Sequence, residues 1–393
     1  MQTAACAAIA FAFVLAAYAY AGYPLLLLVC DRLRRRPAAA PADGWEWPRV
    51  SISLPAYNEE REIAATLEGL LALDYPADRL QVVVVSDAST DRTDEIVRTF
   101  AGRGVELVRT PGRRGKTAAE DFAAARLTGE IVVNTDASIR VPPGSLKALV
   151  AAFADPSVGL ASGRDVSVAR LDAAANSGEG RYVGYEMWVR RLETRAGGIV
   201  GASGCFYAIR AALHRTRLPE GLSRDFAAAL VTRDAGYRAV SVDEAVCLVP
   251  RTASLRREYR RKVRTMARGM ATLSHLRRLL DPVRHGRFAW MLFSHKVCRW
   301  AVPWAAAAAC AGVLVLAATE AWARGAAALG LAALAAAAAG AAWPEERKLP
   351  RPLAVPTYLV MGNVAALEAG LRALRGERNA VWEPTRREPA AAA

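Results

Sequence analysis

Cysteine is sparse and without pattern. Cys6, Cys30, Cys205, Cys247, Cys298 and Cys310 form no CxxC pair, and several fall in apolar segments. That spacing argues against a disulfide framework or a zinc site and leaves reduced, structural thiols. No internal repeat is present; the alanine-rich stretches at 305–309 and 335–339 read as apolar helix filler. No recognition helix or RNA-binding sheet is legible, so the net charge of +14 does not point to nucleic acid; basic segments beside membrane spans account for it. Charge is missing altogether from residues 4–30, and Met1, Gln2 and Thr3 supply no basic n-region. Apolar sequence also runs past the small-x-small triplet Ala17, Tyr18, Ala19. These lacks favour a retained transmembrane anchor over a cleaved signal peptide.

Arg32, Arg34, Arg35 and Arg36 follow the anchor, which predicts a cytoplasmic location for what comes next. With 393 residues, the chain has room for one globular domain beside its membrane segments. Residues 254–278 read as a basic amphipathic helix, with Leu255, Tyr259, Val263, Met266, Met270 and Leu273 on one face. Such a helix is expected on an anionic lipid surface. Residues 288–299, with His295 and Lys296, read as an interfacial stretch, and 300–318 and 325–343 as spans. Residues 353–374 are a poorer span because they contain Pro356, Asn363 and Glu368.

The globular part alternates strand and helix patterns. Residues 50–54 (VSISL), 80–85 (LQVVVV), 105–108, 131–133 and 205–209 read as strands, with helices at 61–71, 93–100 and after the basic loop PGRRGK at 111–116. Such alternation predicts βαβ units and a mostly parallel sheet. Three strand ends carry polar signatures: Pro55 to Glu60, Ser86 to Asp91, and Asp136 to Ser138. A parallel sheet brings all three to one edge, where α/β folds bind ligands. Asp136 is thereby a candidate functional carboxylate whose natural partner is a divalent metal holding phosphate oxygens.

The ladder PAYNEE, SDASTD, GRRGK and TDAS resembles the family 2 glycosyltransferases. The resemblance continues through Tyr185, Glu186 and Trp188, the run GASGCFYAIR at 201–210, SRDF at 223–226 and RRKVR at 260–264. It implies a GT-A fold: an α/β, Rossmann-like, mostly parallel sheet flanked by helices. An N-terminal transmembrane helix and C-terminal membrane helices complete the chain. The expected order is an anchor at 4–30, a basic, Pro-rich linker at 31–49, and a cytoplasmic GT-A domain at 50–253. Interfacial helices at 254–299, a membrane region at 300–374 and a basic tail at 375–393 follow.

The resemblance assigns the nucleotide pocket to Pro55, Tyr57, Glu59 and Asp87, the last accepting hydrogen bonds from base or ribose. Lys116 adds a point charge to the pocket. Asp136 matches the first carboxylate of the family's DxD motif, and Ser138 stands where the second belongs, so Mg²⁺ or Mn²⁺ would lean on substrate phosphates. Asp225 matches the catalytic base that takes the acceptor proton, although Arg224 precedes it where the family usually has an acid. Gly201, Ser203 and Gly204 form a small-residue turn that a sugar can approach closely. Tyr182, Tyr185, Glu186 and Trp188 are expected near the acceptor. Of the family's QxxRW signature only Arg264 is kept, with Arg261 and Thr265 at the other positions, and Arg264 is assigned to the diphosphate.

The implied function is a multi-pass membrane, inverting transferase that moves a sugar from a nucleotide diphosphate donor, UDP-linked by expectation, to a growing polysaccharide or lipid-linked glycan. The expected setting is a bacterial inner membrane, with membrane lipids and an oligomer or export partner as associates. Transfer to a polyprenyl phosphate, or a non-catalytic nucleotide- or glycan-binding subunit of a synthase complex, are the alternatives.

Overall fold

The structure is a computed structural model and describes residues 1–33, 41–42, 44–168, 180–250, 254–344, 347 and 349–377. The basic cluster Arg34 to Arg36 and the tail beyond residue 377 lie outside the described residues. The chain opens with α1 (Gln2–Ala17) and α2 (Tyr23–Leu33), joined by a π-helical turn at Tyr18–Gly22. It continues as β1 (Val50–Ala56), α3 (Ile63–Leu71), β2 (Leu80–Ser86), α4 (Thr93–Thr99), β3 (Val105–Arg109), α5 (Lys116–Ala123), β4 (Ile131–Thr135) and α6 (Ser145–Ala151). Then come β5 (Val158–Val168), α7 (Gly180–Ala196), β6 (Phe206–Arg210), α8 (Ala211–His214), α9 (Arg224–Asp234) and β7 (Arg238–Pro250). The last part holds α10 (Leu255–His275), α11 (Pro282–His285), α12 (Arg287–Leu292), α13 (Arg299–Leu316), α14 (Ala321–Ala341) and α15 (Arg351–Leu374). Two compact units result: Cys30–Arg251, and Met1–Val29 with Thr252–Glu377.

In the first unit, the described strands form a seven-stranded sheet in the order β3-β2-β1-β4-β6-β5-β7. β1 pairs in parallel with β2 and β4, and β2 with β3, whereas β6 runs antiparallel to both of its neighbours. The expected mostly parallel sheet is therefore present. The unbroken LQVVVV run of β2 follows from burial on both faces. Val82 and Val84 point into one core with Leu67 of α3 and Leu146 of α6. Val83 and Val85 point into the other with Ala119 of α5 and Ala229 of α9.

Two strands escaped the sequence pattern. β5 and β7 pair in parallel with a register shift between Ser162 and Arg164, and the polar residues there break the apolar alternation that marks a strand. At the β4 entrance, Gly129 lies against the backbone of β1. A Cβ there would sit 2.5 Å from Ser51 N and 2.8 Å from Val50 C, neither of which can swing away. Gly129→Ala is expected to cost about 1–3 kcal/mol of stability, visible as a lowered unfolding temperature in detergent.

The other unit holds apolar helices. The described chain has four helices long and apolar enough to cross a membrane: Gln2–Arg32, Arg287–Leu316, Ala321–Ala341 and Arg351–Leu374. Residues 288–299 are continuous with the following apolar helix through a π-helical stretch at Phe293–Cys298. The poorer segment at 353–374 is one unbroken helix despite Pro356.

α10 begins at Ser254, whose hydroxyl accepts from Arg257 N. Its apolar face does not lie open to lipid as the sequence suggested: Val263 packs with Ala365 and Ala369 of α15, flanked by Tyr259, Met266 and Met270. An apolar stripe needs a partner, and a neighbouring helix supplies it here.

Candidate active site

Parallel pairing places the ends of β1 and β2 side by side, with Ala56 opposite Ser86. The antiparallel β6 enters at the edge where β4 leaves, with Phe206 opposite Thr135. The three polar strand ends and the turn before β6 therefore meet at one edge of the sheet. Asn58 and Ala88, just beyond β1 and β2, adopt left-handed backbone conformations with φ of 54° and 56°. Such strain in non-glycine residues clusters at functional sites and persists only where surroundings enforce it. Here Asn58 Oδ1 accepts from Thr90 N at 2.8 Å, Thr93 Oγ1 accepts from Glu59 N at 2.8 Å, and Ser86 Oγ accepts from Ser89 N at 3.2 Å. Pro55 is buried near the end of the β1–β2 ladder, and the Tyr57 ring carries the Arg113 guanidinium 3.9 Å from its centre.

Asp87 is only 2% exposed, and its carboxylate is taken by the basic loop. Oδ1 accepts from Arg114 N at 2.9 Å and Oδ2 from Gly115 N at 2.8 Å. Gly115, with φ of 96°, turns the chain into α5. Asp87 thus holds the loop that launches Lys116, whereas the sequence reading aimed it at base or ribose. From the first turn of α5, Lys116 Nζ donates to Asp136 Oδ1 at 2.6 Å and to the Gly204 carbonyl at 3.2 Å. Burial opposes its charge, but the Asp136 and Glu120 carboxylates outweigh that and hold the ammonium above the usual lysine range.

Gly204 joins these groups to Asp225. A Cβ on Gly204 would lie 2.9 Å from Asp225 Oδ2, so the carboxylate rests against the bare α-carbon. Asp225 sits in the first turn of α9, with Ser223 Oγ donating to its Oδ1 at 2.5 Å. Gly201 is buried in the same turn. Ser203 braces it: its hydroxyl donates to Asp165 Oδ1 at 2.5 Å, and its amide to Ser162 Oγ at 2.8 Å. Asp165, on the unforeseen β5, had no signal in the sequence.

Arg224 is buried between α5 and α9, 6% exposed. It pairs with Asp121, lies 3.5 Å from Glu120 Oε2, and donates to the His214 carbonyl at 2.7 Å. Burial pushes the Glu120 carboxyl up, against the pull of Lys116 and Arg224. His214 is driven well below its usual range by burial and by Arg224 and Arg215, so its ring is neutral. Sequence reading missed Glu120 and Asp121, although Glu120 stands one helical turn after Lys116, on the same face.

Ser138 is buried in the turn after β4. Among the described residues no three histidine, cysteine or acidic side chains are grouped to hold a metal. Asp136 nevertheless fits a hard cation: Lys116 engages only Oδ1, the carboxylate stays partly exposed, and a diphosphate can supply the remaining oxygens. Glu186 lies on α7, 4.0 Å from Arg190, and the Tyr185 and Trp188 rings pack at a tilt of 50° with centres 6.0 Å apart. The Tyr182 side chain lies outside the described residues. Arg264 lies on α10, in the other unit.

Comparison with known proteins fits this geometry. The family model for "Glycosyl transferase family 2" matches residues 51–216. An N-acetylglucosaminyltransferase of Mesorhizobium japonicum is 30% identical over 227 residues, covering 52% of each protein. Cellulose synthase 2 of Novacetimonas hansenii is 33% identical over 130 residues, 33% of this chain and 8% of that protein. The chain spans about half or less of the length of these curated relatives. Among solved structures, the mannosyltransferase PcManGT from Pyrobaculum calidifontis, in complex with GDP-Man and Mn²⁺, superposes with a TM-score of 0.71. It is 28% identical, and the match covers 94% of this chain and 99% of that one. With this sheet, these strand-edge motifs and the match over residues 51–216, that segment is a family 2 glycosyltransferase domain with a GT-A fold.

Proposed function

We propose that the chain is a membrane-bound, inverting glycosyltransferase that moves a sugar from a nucleotide diphosphate donor to a growing glycan or a lipid-linked acceptor. One observation carries this: Gly204 brings the Asp225 carboxylate against the loop whose carbonyl binds Lys116, itself seated on Asp136. A base and a phosphate-binding pair thereby share one small space. Asp225 takes the proton from an acceptor hydroxyl as that oxygen bonds to the anomeric carbon. The bond from that carbon to the diphosphate breaks on the opposite face, which inverts the centre. Lys116 orients the diphosphate oxygens, and Asp136 and Ser138 would hold Mg²⁺ or Mn²⁺. When bound, such an ion neutralises charge on the leaving diphosphate.

The test is release of nucleoside diphosphate from a panel of UDP-sugars and GDP-mannose, with Mg²⁺ or Mn²⁺ supplied and then chelated. Metal-dependent release from one donor supports the proposal. Silence across the panel with glycan and polyprenyl phosphate acceptors present, alongside measurable nucleotide binding, would favour a non-catalytic subunit instead. In calorimetry, Asp136→Asn should weaken Mn²⁺-dependent binding of that donor's nucleotide by about tenfold, equivalent to roughly 1.4 kcal/mol. Equal affinity in the variant would remove Asp136 from the cation site.

A further inference from the structure

We propose that Arg224 is a positioning residue: its buried pairing with Glu120 and Asp121 locks the helix bearing the base, α9, to the helix bearing the phosphate-binding lysine, α5. The proposal rests on Asp225 as the base. Five ionisable side chains, acidic and basic in turn, run from the strand edge to α9: Asp136, Lys116, Glu120, Arg224 and Asp121. Lys116 and Glu120 occupy one face of α5 a turn apart, so one short helix offers a cation to the strand edge and a carboxylate to α9.

Glu120 shows why the arrangement is specific. It is fully buried, and neither carboxylate oxygen has a hydrogen-bond partner among the described residues, so the flanking cations Lys116 and Arg224 are what offset its burial. Arg224 is the first residue of α9 and Asp225 the second. The guanidinium fork meets two acids of α5 and a carbonyl of α8 at once, a geometry a point charge cannot copy. A shift of α5, such as a diphosphate pulling Lys116 off Asp136, is transmitted through Glu120 and Asp121 to the start of α9. Donor occupancy and base placement are coupled in this way.

The test uses the full chain in detergent, with UDP or GDP plus Mn²⁺ as the probe and nucleoside diphosphate release as the rate. Arg224→Met should lower kcat about 10²-fold through misplacement of the base, while nucleotide affinity stays within about threefold. Arg224→Lys should recover part of the loss, since it keeps charge without the fork. In hydrogen exchange, nucleotide should slow the amides at 224–228 in the wild type and leave them unchanged in Arg224→Met. Asp121→Asn breaks one contact at a half-buried acid without stranding a buried charge, so it tests the link if Arg224→Met folds poorly. It should lower kcat several-fold and weaken the same protection.

Retained kcat in Arg224→Met, parallel loss of rate and nucleotide affinity, or unchanged protection in Asp121→Asn would each overturn the proposal. So would the absence of nucleotide-induced protection in the wild type. Full activity in Asp225→Asn would instead defeat the base assignment, whatever the exchange data show for the link between helices.

Discussion

Asp225→Asn is expected to lower kcat by about 10²- to 10⁴-fold, the usual worth of a positioned general base. Nucleotide affinity should not change, since the proposal gives the diphosphate to the Lys116–Asp136 pair and not to Asp225. The amide is nearly isosteric and can still accept from Ser223 Oγ, which now donates to Asp225 Oδ1, so the start of α9 stays intact. What is lost is a basic oxygen able to take the acceptor proton. Steady-state kinetics together with nucleotide calorimetry separate the two effects. A variant that transfers at the wild-type rate would mean that the acceptor needs no base, as an anionic phosphate acceptor would not.

Gly204→Ala should be nearly as damaging to rate and almost silent in stability. The new methyl would lie 2.9 Å from Asp225 Oδ2 and 3.5 Å from its Cγ. The atoms it meets belong to a side chain that can rotate, so the fold yields cheaply, by about 0.5 kcal/mol or less. The carboxylate cannot stay where it is, however, and displacing a reacting group by an ångström can cost on the order of 10²-fold. An unchanged unfolding temperature with a collapsed kcat is the expected signature. If kcat survives, the carboxylate position seen here is not the reactive one. The contrast with Gly129 is instructive, because there the clashing atoms are backbone and the expected loss is in stability.

Much of the fold was legible because its signals are local. The valine run of β2, the turn chemistry after β1, β2 and β4, and the uncharged length of the first helix each depend on a few consecutive residues. Parallel topology then made the convergence of three polar strand ends a geometric consequence. β5 and β7 were illegible for the converse reason: Ser162 to Asp165 interrupt the alternation, and only pairing with a partner strand makes them sheet. The amphipathic pattern of α10 correctly announced an apolar face, but no pattern states whether lipid or another helix covers it; α15 does so.

The sequence by itself determined which residue types stand at the strand ends and where apolar helices lie, since both are set by nearest-neighbour chemistry and periodic burial. Only the tertiary structure decided how those residues are partnered. Asp87 is bonded to the basic loop 27 positions away, Lys116 is seated on Asp136 twenty positions away, and Arg224 reaches Asp121 across 103 positions. Such pairings depend on distances of a few ångströms between groups far apart in the chain. Burial then raises the stakes, because a desolvated charge must find its opposite wherever folding has placed it.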